Sequence, residues 1–284
     1  MDRTLYSINL KSPSWKSDLR HNIELYGFSL IENAMGVSDL KKLKQKMYEI
    51  QDPMQEDLKM VLSKNQITVD NKDSGRNFVM RLMMLYDPYF ALLLENSRFL
   101  EIIDTLLGDT SVLHLQNGFI LPKKDFSVAN APEKKPAFHM DFPRILNGYL
   151  ASINIFMLIS EFTEENGGTI VIPGSHQGKI SAEMIDKSEK VTLEASEGSW
   201  LVFDSTLIHA AGENHSSTDR VAINHQMTKS YFKQQIDYCN ALASKVNNFS
   251  PRVKQILGHS VRVPSSLQEF YLPEDKRLYK SNQG

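Results

Sequence analysis

Two short segments of the chain carry side chains that can meet at one metal ion. In the first, Phe138-His139-Met140-Asp141, a histidine and an aspartate lie two residues apart. Residues i and i+2 of an extended strand point to the same face, so His139 and Asp141 can present an imidazole and a carboxylate to one point. The second segment begins at the Gly198 turn, continues with apolar residues and ends at His209. Two histidines and one carboxylate can share one ion and leave three coordination positions open.

Arg220 adds a further element to this pattern. A His-x-Asp pair alone is a weak motif, because a histidine and an aspartate at the end of a surface strand are common. Arg220 lies eleven residues after His209, where the next predicted strand begins, and a guanidinium there can hold a distant carboxylate with two hydrogen bonds. Two histidines, one carboxylate and a following arginine indicate the facial triad of a non-haem Fe(II) oxygenase that binds a chelating 2-oxo acid.

Composition excludes several other kinds of protein. The chain has 284 residues, enough for one large domain or two small ones. Lys plus Arg total 32 and Asp plus Glu total 34, a net charge of -2 that argues against nucleic-acid binding and against a polybasic membrane protein. The single cysteine, Cys239, excludes an intrachain disulfide and cysteine-based zinc or iron–sulfur sites. A bound metal must therefore be held by His, Asp or Glu.

Targeting signals are not evident. Residues 1–10 have no apolar signal-peptide core, and no run of about 18 apolar residues is present to span a bilayer. The C-terminal Ser-Asn-Gln-Gly matches neither a lipidation nor a peroxisomal signal. We expect a cytoplasmic protein that has a small-molecule substrate and binds neither nucleic acid nor a membrane.

The elements that must position these residues change in character along the chain. Helices are predicted at 15–26, at 39–50 with Ser38 as the N-cap, and from Asp87-Pro88 to Gly108. Residues 52–75 are expected to form a loop or a poorly formed helix, followed by a strand at 78–85. The further predicted strands are 112–121, 149–159, 169–172, 191–195, 199–204 and 220–228, and the predicted helices of the tail are 232–245 and 251–258.

Helices followed by many short strands predict a mainly β protein with flanking helices (α+β). The expected core is a double-stranded β-helix, a jelly roll of the cupin-like kind. We expect a single domain, 1–284, with a helical N-terminal part at about 1–110, a jelly-roll core at about 111–230 and a helical tail at 231–284. The lysine-rich segment 122–136 leads into His139 and is expected to be either a solvated loop or a lid.

Further segments resemble a known family. Residues 165–176 read Glu-Asn-Gly-Gly-Thr-Ile-Val-Ile-Pro-Gly-Ser-His, which is similar to the Asn-Gly…Pro-Gly-Ser-His signature of the phytanoyl-CoA dioxygenase family of Fe(II)/2-oxoglutarate oxygenases. Segment 198–209 resembles the second metal strand of that family, and Gly27-Phe28 with the helix near Leu40 resembles its opening. Segments 231–235 and 250–258 resemble the tail of its bacterial small-molecule members. The resemblance covers roughly residues 20–260.

The resemblance implies roles for individual residues. His139, Asp141 and His209 match the Fe(II) ligands, and Arg220 matches the arginine that binds the 5-carboxylate of 2-oxoglutarate. Positions expected beside the cosubstrate are Met140, Phe156, Arg81, Phe119 and Gln116. Phe119 and Gln116 depend on register, since a slip of one residue along 114–121 exchanges Gln116 for Asn117 and Phe119 for Ile120 on the inner face; we favour Phe119 and keep Gln116 as an alternative. Substrate contacts are expected at Phe142, Asn117 and Asn154, and a structural role at His176.

The resemblance also implies an activity. Fe(II), 2-oxoglutarate and O₂ would together oxidise a small metabolite or natural-product intermediate, by hydroxylation in the first place, with release of succinate and CO₂. Desaturation, epoxidation and epimerisation use the same chemistry and stay as alternatives. Related halogenases have a small residue at the position of Asp141, so halogenation is not expected. A jelly-roll protein that binds a metal or a small molecule without turnover is the remaining alternative. Neither the substrate nor the oligomeric state follows from the sequence.

Overall fold

The computed structural model describes residues 1–65, 78–123, 136–144, 146–178, 181–259, 261 and 263–277. Parts of the two expected loops, 52–75 and 122–137, lie outside these ranges. The helices are α1 (Trp15–Tyr26), α2 (Val37–Lys64), α3 (Tyr89–Leu92), α4 (Ser97–Leu106), α5 (Ala182–Lys187), α6 (Tyr238–Leu242), α7 (Pro251–Ile256) and α8 (Leu267–Phe270). The strands are β1 (Ser7–Ile8), β2 (Phe28–Ile31), β3 (Val79–Arg81), β4 (Val112–Leu121), β5 (Ser152–Leu158), β6 (Thr169–Val171), β7 (Val191–Thr192), β8 (Trp200–Asp204), β9 (His209–Ala211) and β10 (Arg220–Thr228).

These strands form two sheets. The large sheet has the order β1-β2-β8-β5-β10-β4-β3, and the small sheet has the order β7-β6-β9. The pairings are antiparallel apart from that of β1 with β2. Apolar residues of both sheets share one cluster, so the sheets face each other. This arrangement confirms the predicted class, a mainly β protein with flanking helices around a jelly-roll core, and the sheets do not close into a barrel.

The larger hydrophobic core lies between the helices and the outer face of the large sheet. Alternate residues of a strand point to opposite faces, and Val221 and Ile223 of β10 join the cluster that contains the buried residues of α1, α2 and α4. Arg220, Ala222 and Asn224 point the other way, toward the small sheet. Strand β10 thus has one apolar face in the core and a partly polar face between the sheets. Within the described ranges, no helix has the length and apolar composition of a membrane span.

Helix α2 continues well beyond its predicted end at residue 50. The expected loop or poorly formed helix from residue 52 was wrong as far as Lys64, although Pro53 lies inside the helix. The buried residues of α2 are Leu40, Leu43, Met47, Ile50 and Met54. This apolar stripe crosses the proline without a break in its helical spacing. Burial of the stripe therefore outweighs the backbone hydrogen bond that is lost at Pro53.

The predicted long helix at 87–108 was also wrong, because it divides at Asn96. The side chain of Asn96 accepts hydrogen bonds from the backbone N–H groups of Arg98 and Phe99, at 3.0 and 3.2 Å. Such a cap satisfies the free N–H groups of a first turn, and a separate helix, α4, begins there. The predicted bounds of α1, β4 and β10 agree with the structure. The strand expected at 78–85 and the helices expected in the tail are shorter than predicted.

Gly27 joins α1 to the large sheet at a point of close packing. Its φ is +84°, a left-handed conformation that favours glycine. Its carbonyl accepts a hydrogen bond from the backbone N–H of Asp204 at 2.8 Å. A Cβ at this position would lie 2.4 Å from His176 Nδ1 and 2.7 Å from Leu207 Cδ1. Both the backbone conformation and the available space therefore require glycine here.

We expect Gly27→Ala to destabilise the protein more than Gly108→Ala. Gly108 ends α4 with a similar φ, +91°, but a Cβ there would meet no atom within 4 Å. The Gly108 variant should lose about 1 kcal/mol, from backbone strain alone, and the Gly27 variant about 1–3 kcal/mol more, from overlap with its neighbours. Urea unfolding of both variants measures the difference. Equal losses at the two positions would contradict the packing argument.

Candidate metal centre

The two predicted metal segments pair through their backbones. His139 donates its N–H to the carbonyl of His209 at 2.9 Å, and His209 donates in return to the carbonyl of His139 at 3.0 Å. Nearby, the N–H of Phe142 donates to the carbonyl of Ser205 at 2.8 Å. Residues directly opposite each other in an antiparallel pair project to the same side. The pairing therefore brings the two imidazole rings together, with 4.4 Å between their centroids.

Asp141 completes the group. Its Oδ1 lies 3.4 Å from His139 Nε2, and its Oδ2 lies 3.7 Å from His209 Nε2. One ligand atom from each of the three side chains lies within 4.8 Å of the other two. The exposed fraction of the side chain falls from 54% for His139 to 25% for Asp141 and 10% for His209. The group is thus open on the side of His139 and closed behind His209.

Backbone carbonyls orient both imidazole rings. Nδ1 of His139 lies 3.0 Å from the carbonyl oxygen of Ala137, and Nδ1 of His209 lies 3.0 Å from that of Leu207. A carbonyl oxygen only accepts hydrogen bonds, so in each neutral ring Nδ1 carries the proton and Nε2 presents a lone pair. Only the protonated form of His139 carries a second proton, on Nε2, that can be donated to Asp141. Two nitrogen lone pairs and one carboxylate then face a common position, which is the donor set of a metal site.

The charge of this group resides on Asp141. Burial alone would raise the pKa of its carboxyl, but hydrogen bonding from His139, the charge of His209 and hydrogen bonding from Asn154 outweigh burial and hold the pKa below its ordinary value. Burial lowers the pKa of His209. The hydrogen bond to Asp141 raises the pKa of His139. Asp141 is therefore ionised at neutral pH, as a metal ligand must be.

The Pro-Gly-Ser-His turn holds the start of β9, the strand whose first residue, His209, belongs to the metal group. The Ser175 hydroxyl accepts a hydrogen bond from the N–H of Ile208 at 2.8 Å, directly before His209. His176 does not reach the metal group, and its Nε2 lies 3.1 Å from the carbonyl oxygen of Glu24. The structural role expected for His176 agrees with this position. The turn thus holds the chain directly before β9 and also contacts α1.

The Asn-Gly-Gly turn supports the same strand from its other end. Gly167 has a φ of +81°, and a Cβ there would lie 2.6 Å from the carbonyl oxygen of Gly212. This close backbone approach lets β6 and β9 pair, with Val171 opposite His209. Glycine at position 167 therefore helps to place the second histidine.

A cavity of about 140 Å³ lies in front of the three side chains, between the two sheets. Aromatic rings form part of its wall, and the rings of Phe119 and Phe156 pack with 5.6 Å between centroids. Besides His139, Asp141 and His209, the lining residues are Asn117, Phe119, Phe156, Thr169, Phe203, Ala210, Ala211, Arg220 and Asn224. A small molecule in this cavity would contact the metal group directly.

Arg220 is a buried cation without an acidic partner among the described residues. Only 5% of Arg220 is exposed, and burial lowers the pKa of its guanidinium to about 10. The guanidinium donates to the carbonyl of Gly167, and its Cζ lies 4.5 Å from the centroid of the Phe162 ring. Its Nε–H is buried without an acceptor. A buried charge with a free donor requires an anion, and it lies in the wall of the same cavity.

The register of β4 decides which of its predicted residues line the cavity. Phe119, Phe156 and Asn117 line the cavity. Gln116 does not, because β4 pairs with β10 in the register that sets Asn117 opposite Asn224 and turns Gln116 to the other face. There its Nε2 donates to the carbonyl of Phe90 at 2.9 Å. The alternative that placed Gln116 beside the cosubstrate is therefore corrected.

Four other expected contacts do not line the cavity. Met140 lies between two residues that point into the site and so points away from it. Phe142 packs against the ring of Phe232, with 5.2 Å between centroids. Arg81 lies opposite Asn117 on β3 but is exposed. Asn154 is fully buried behind Asp141. The structure thus gives these four residues no direct contact with a ligand in this cavity.

Several lining residues were missed by the sequence analysis. They are Thr169, Phe203, Ala210, Ala211 and Asn224. The sequence could have predicted Asn224 as a lining residue, because it lies four residues after Arg220 on the same strand and therefore on the same face. Ala210 and Ala211 directly follow His209. Their role as small residues that leave room for a ligand has no signal in the sequence.

The fold and the site together define a class of protein. A jelly roll that holds two histidines and one carboxylate beside a buried arginine is the framework of a non-haem oxygenase. The chain belongs to the phytanoyl-CoA dioxygenase family, whose family model matches residues 23–222. This match confirms the family that the sequence motifs predicted.

The chain is also similar to a relative of nearly the same length and to solved structures. An uncharacterized protein of Mycobacterium tuberculosis is 44% identical over 261 residues, which cover 91% of this chain and 92% of that protein. The epimerase SnoN, solved with Fe³⁺, α-ketoglutarate and nogalamycin RO, matches with a TM-score of 0.61 at 14% identity over 82% of this chain and 92% of that chain. EctD from S. alaskensis, solved with 2-oxoglutarate and 5-hydroxyectoine, matches with a TM-score of 0.57 at 18% identity over 80% of this chain and 81% of that chain. Both structures share the fold of this protein.

We expect His209→Ala to abolish tight binding of a divalent metal. Loss of a ligand should weaken the affinity for Fe(II) by more than about 100-fold, since loss of a residue that only supports a ligand already costs about 10- to 100-fold. Anaerobic isothermal titration with Fe(II) measures this. His114→Gln is the control, because His114 is a partly buried histidine outside the group and its loss should leave the affinity unchanged. A His209→Ala variant with the affinity of the unmodified chain would place the metal elsewhere.

Proposed function

We propose that this protein is an Fe(II)- and 2-oxoglutarate-dependent dioxygenase that hydroxylates a small organic molecule and releases succinate and CO₂. One observation carries the proposal: a two-histidine, one-carboxylate group and a buried, unpaired arginine line the same cavity. Membership of the phytanoyl-CoA dioxygenase family supports the same class. We further propose that residues 1–284 form one catalytic domain.

Fe(II) fits the donor set of the site. His139 and His209 would bind it through Nε2, and Asp141 would bind it through its carboxylate. Two imidazoles and one carboxylate leave coordination positions open for a chelating cosubstrate and O₂. Because Asp141 occupies the third ligand position, no vacancy is left there for a halide, which favours oxygenation over halogenation.

2-Oxoglutarate fits the other part of the cavity. The Arg220 guanidinium would bind its 5-carboxylate, and the buried Nε–H supplies a donor that has no other acceptor. The hydroxyl of Thr169 lies in the same wall. The charges of Fe(II), Asp141, Arg220 and a dicarboxylate add to zero, so the loaded site carries no net charge. A buried cation and a metal group at one cavity therefore favour a dicarboxylate over a neutral ligand.

Fe(II), 2-oxoglutarate and O₂ supply the oxidation of a substrate C–H bond when they are bound together. The chain itself would supply orientation and a partly apolar cavity. Arg220 would hold one end of the cosubstrate, and the three metal ligands would fix the position of its other end. The rings of Phe119, Phe156 and Phe203 give the cavity part of an apolar wall.

Hydroxylation is the outcome that we propose, although the same residues serve related reactions. The matched structures are those of an epimerase and of a protein solved with a hydroxylated compound. One fold thus accommodates more than one outcome. Mass analysis of the product decides, since hydroxylation adds one oxygen atom, desaturation removes two hydrogen atoms, and epimerisation leaves the mass unchanged.

We expect the Fe(II)- and 2-oxoglutarate-loaded protein to show a weak visible charge-transfer band under argon. After air is admitted, a turnover-competent enzyme should form succinate, faster once its substrate is found in a metabolite screen. His139→Ala should remove both signals, because it deletes a metal ligand. If the unmodified chain shows neither the band nor succinate, the oxygenase proposal is excluded. A band without succinate under any condition would favour the binding protein without turnover.

Arg220→Gln should remove the preference for a dicarboxylate. We expect the unmodified chain to bind 2-oxoglutarate at least about 30-fold more tightly than 2-oxobutyrate, which lacks the distal carboxylate, because a broken buried charge pair costs about 2–5 kcal/mol. The variant should bind both with similar affinity. Anaerobic titration of the charge-transfer band gives the two dissociation constants.

Arg81→Gln is the matched control for the arginine substitution. Arg81 carries the same charge but is exposed and lies outside the cavity lining. Its variant should keep the full preference for 2-oxoglutarate. A preference that survives Arg220→Gln and disappears in Arg81→Gln would transfer the carboxylate-binding role to Arg81.

A further inference from the structure

A chain of hydrogen bonds runs between the strands of the large sheet behind the metal group. The Asn224 amide donates to Asn154 Oδ1 at 2.7 Å, and the Asn154 amide donates to the Ser205 hydroxyl at 2.9 Å. The Ser205 hydroxyl lies 2.8 Å from that of Ser152, which lies 3.0 Å from the carbonyl oxygen of Met227. All four side chains are buried. We call this series the amide relay.

The carboxylate of the metal group orients the amide relay. The Asn154 amide donates to the Ser205 hydroxyl, and its interaction with the Asp141 carboxylate helps to lower the pKa of that carboxyl. An ionised carboxylate only accepts hydrogen bonds, so the N–H₂ of Asn154 faces Asp141 and Ser205 while its Oδ1 faces Asn224. At the other end of the relay, the single proton of Ser152 serves either the Ser205 hydroxyl or the Met227 carbonyl.

Asn224 is the residue at which the amide relay ends. Its N–H₂ must face Asn154 Oδ1, so its own Oδ1 must point away from the relay. Asn224 is 7% exposed and lines the cavity with the metal group, and its buried Oδ1 has no hydrogen-bond partner among the described residues. A buried acceptor that no donor satisfies is unfavourable for the folded protein. A ligand that donates a hydrogen bond to this acceptor would therefore bind more tightly than a ligand without a donor.

The cosubstrate cannot be that ligand. At neutral pH 2-oxoglutarate carries two carboxylates and a ketone, all of which only accept hydrogen bonds. Asn117, directly opposite Asn224 across β4 and β10, also has a buried Oδ1 with no hydrogen-bond partner in the part of the chain that the structure describes. Both asparagines line the cavity, as do the rings of Phe119 and Phe156.

We propose that Asn224 is a specificity residue that binds an O–H or N–H group of the organic substrate. The inference rests on the proposed oxygenase function and deepens it, since it assigns the substrate class: a molecule that carries a hydroxyl or amino group near the carbon that is oxidised. Asn154 serves as a positioning residue, because it orients both Asn224 and Asp141. A substrate that bears only ethers, esters or halides in that place would leave the acceptor unsatisfied.

Matched pairs of fragments test the proposal. Each pair contains a small alcohol or amine and its O-methyl or N-methyl analogue without the donor. Affinity-selection mass spectrometry under argon, on protein loaded with Fe(II) and 2-oxoglutarate, gives the bound fraction of each. We expect the donor-bearing members to bind at least about fivefold more tightly, the worth of one hydrogen bond. Equal binding within the pairs, or no bound donor-bearing fragment, overturns the proposal.

Two variants isolate the contribution of Asn224. Asn224→Leu keeps the number and branching of the side-chain heavy atoms but removes the acceptor, so the preference within the pairs should fall to about one. Thr228→Val is the matched control: Thr228 lies on the same strand and face, its buried hydroxyl also has no partner, and it does not line the cavity. It should keep the full preference. A preference that survives Asn224→Leu contradicts the assignment, as does its loss in Thr228→Val.

Two further measurements separate this proposal from the function on which it rests. Fe(II) and 2-oxoglutarate affinities are measured on every variant: failure of the unmodified chain to bind them rejects the oxygenase itself, whereas a loss above about threefold in Asn224→Leu alone reassigns Asn224 to the metal centre. Asn224→Asp covers the case in which the leucine variant does not fold. Its carboxylate keeps an acceptor and adds charge, so binding should shift toward ammonium fragments, and an unchanged selectivity would refute the role.

Discussion

Two reciprocal backbone hydrogen bonds between His139 and His209 are the constraint on which the site depends. The residues are distant in sequence, and this pairing alone sets their rings side by side. Closing so long a loop costs conformational entropy, and two hydrogen bonds offset only part of it. The rest of the compensating free energy comes from the other side of β9, where Val171 pairs with His209 and the Ser175 hydroxyl accepts a hydrogen bond from Ile208. The glycine-rich motifs of the chain are therefore supports for one strand.

Opposite charges at the cavity impose a second constraint. Asp141 is ionised and Arg220 is buried, yet no ion pair joins them in the described structure. The buried charge of Arg220 is costly without an anion, whereas the neighbouring groups already stabilise the charge of Asp141 and hold its pKa below the ordinary value. An anion at Arg220 would remove that cost, so ligand binding and stability are linked in this fold. The folded chain thus keeps one uncompensated charge at the place where the proposed dicarboxylate would bind.

The sequence predicted the site better than it predicted the elements around it. His139, Asp141 and His209 were found because their spacing and the neighbouring motifs are local features of the chain. The sequence does not show which face of β4 carries Gln116. Both faces of this strand are covered, and no alternation of polar residues marks one of them. Helix α2 passed through Pro53 because packing outweighed local propensity. The acceptor at Asn224 emerges from side chains on several strands, and no single segment shows it.

Strand β10 makes the proposed recognition a matter of fixed spacing. It carries Arg220 at one end, Asn224 four residues later and the Met227 carbonyl at the end of the amide relay. At about 3.3 Å per residue, the first two positions are about 13 Å apart along the strand. β10 is paired on both sides, with β4 and β5, so this spacing cannot stretch. The anchor of the cosubstrate and the acceptor for the substrate therefore keep a constant separation. Under the proposed function, this separation determines which carbon of the substrate lies at the metal and reacts. A substrate whose hydrogen-bond donor lies at another position would place a different carbon at the metal.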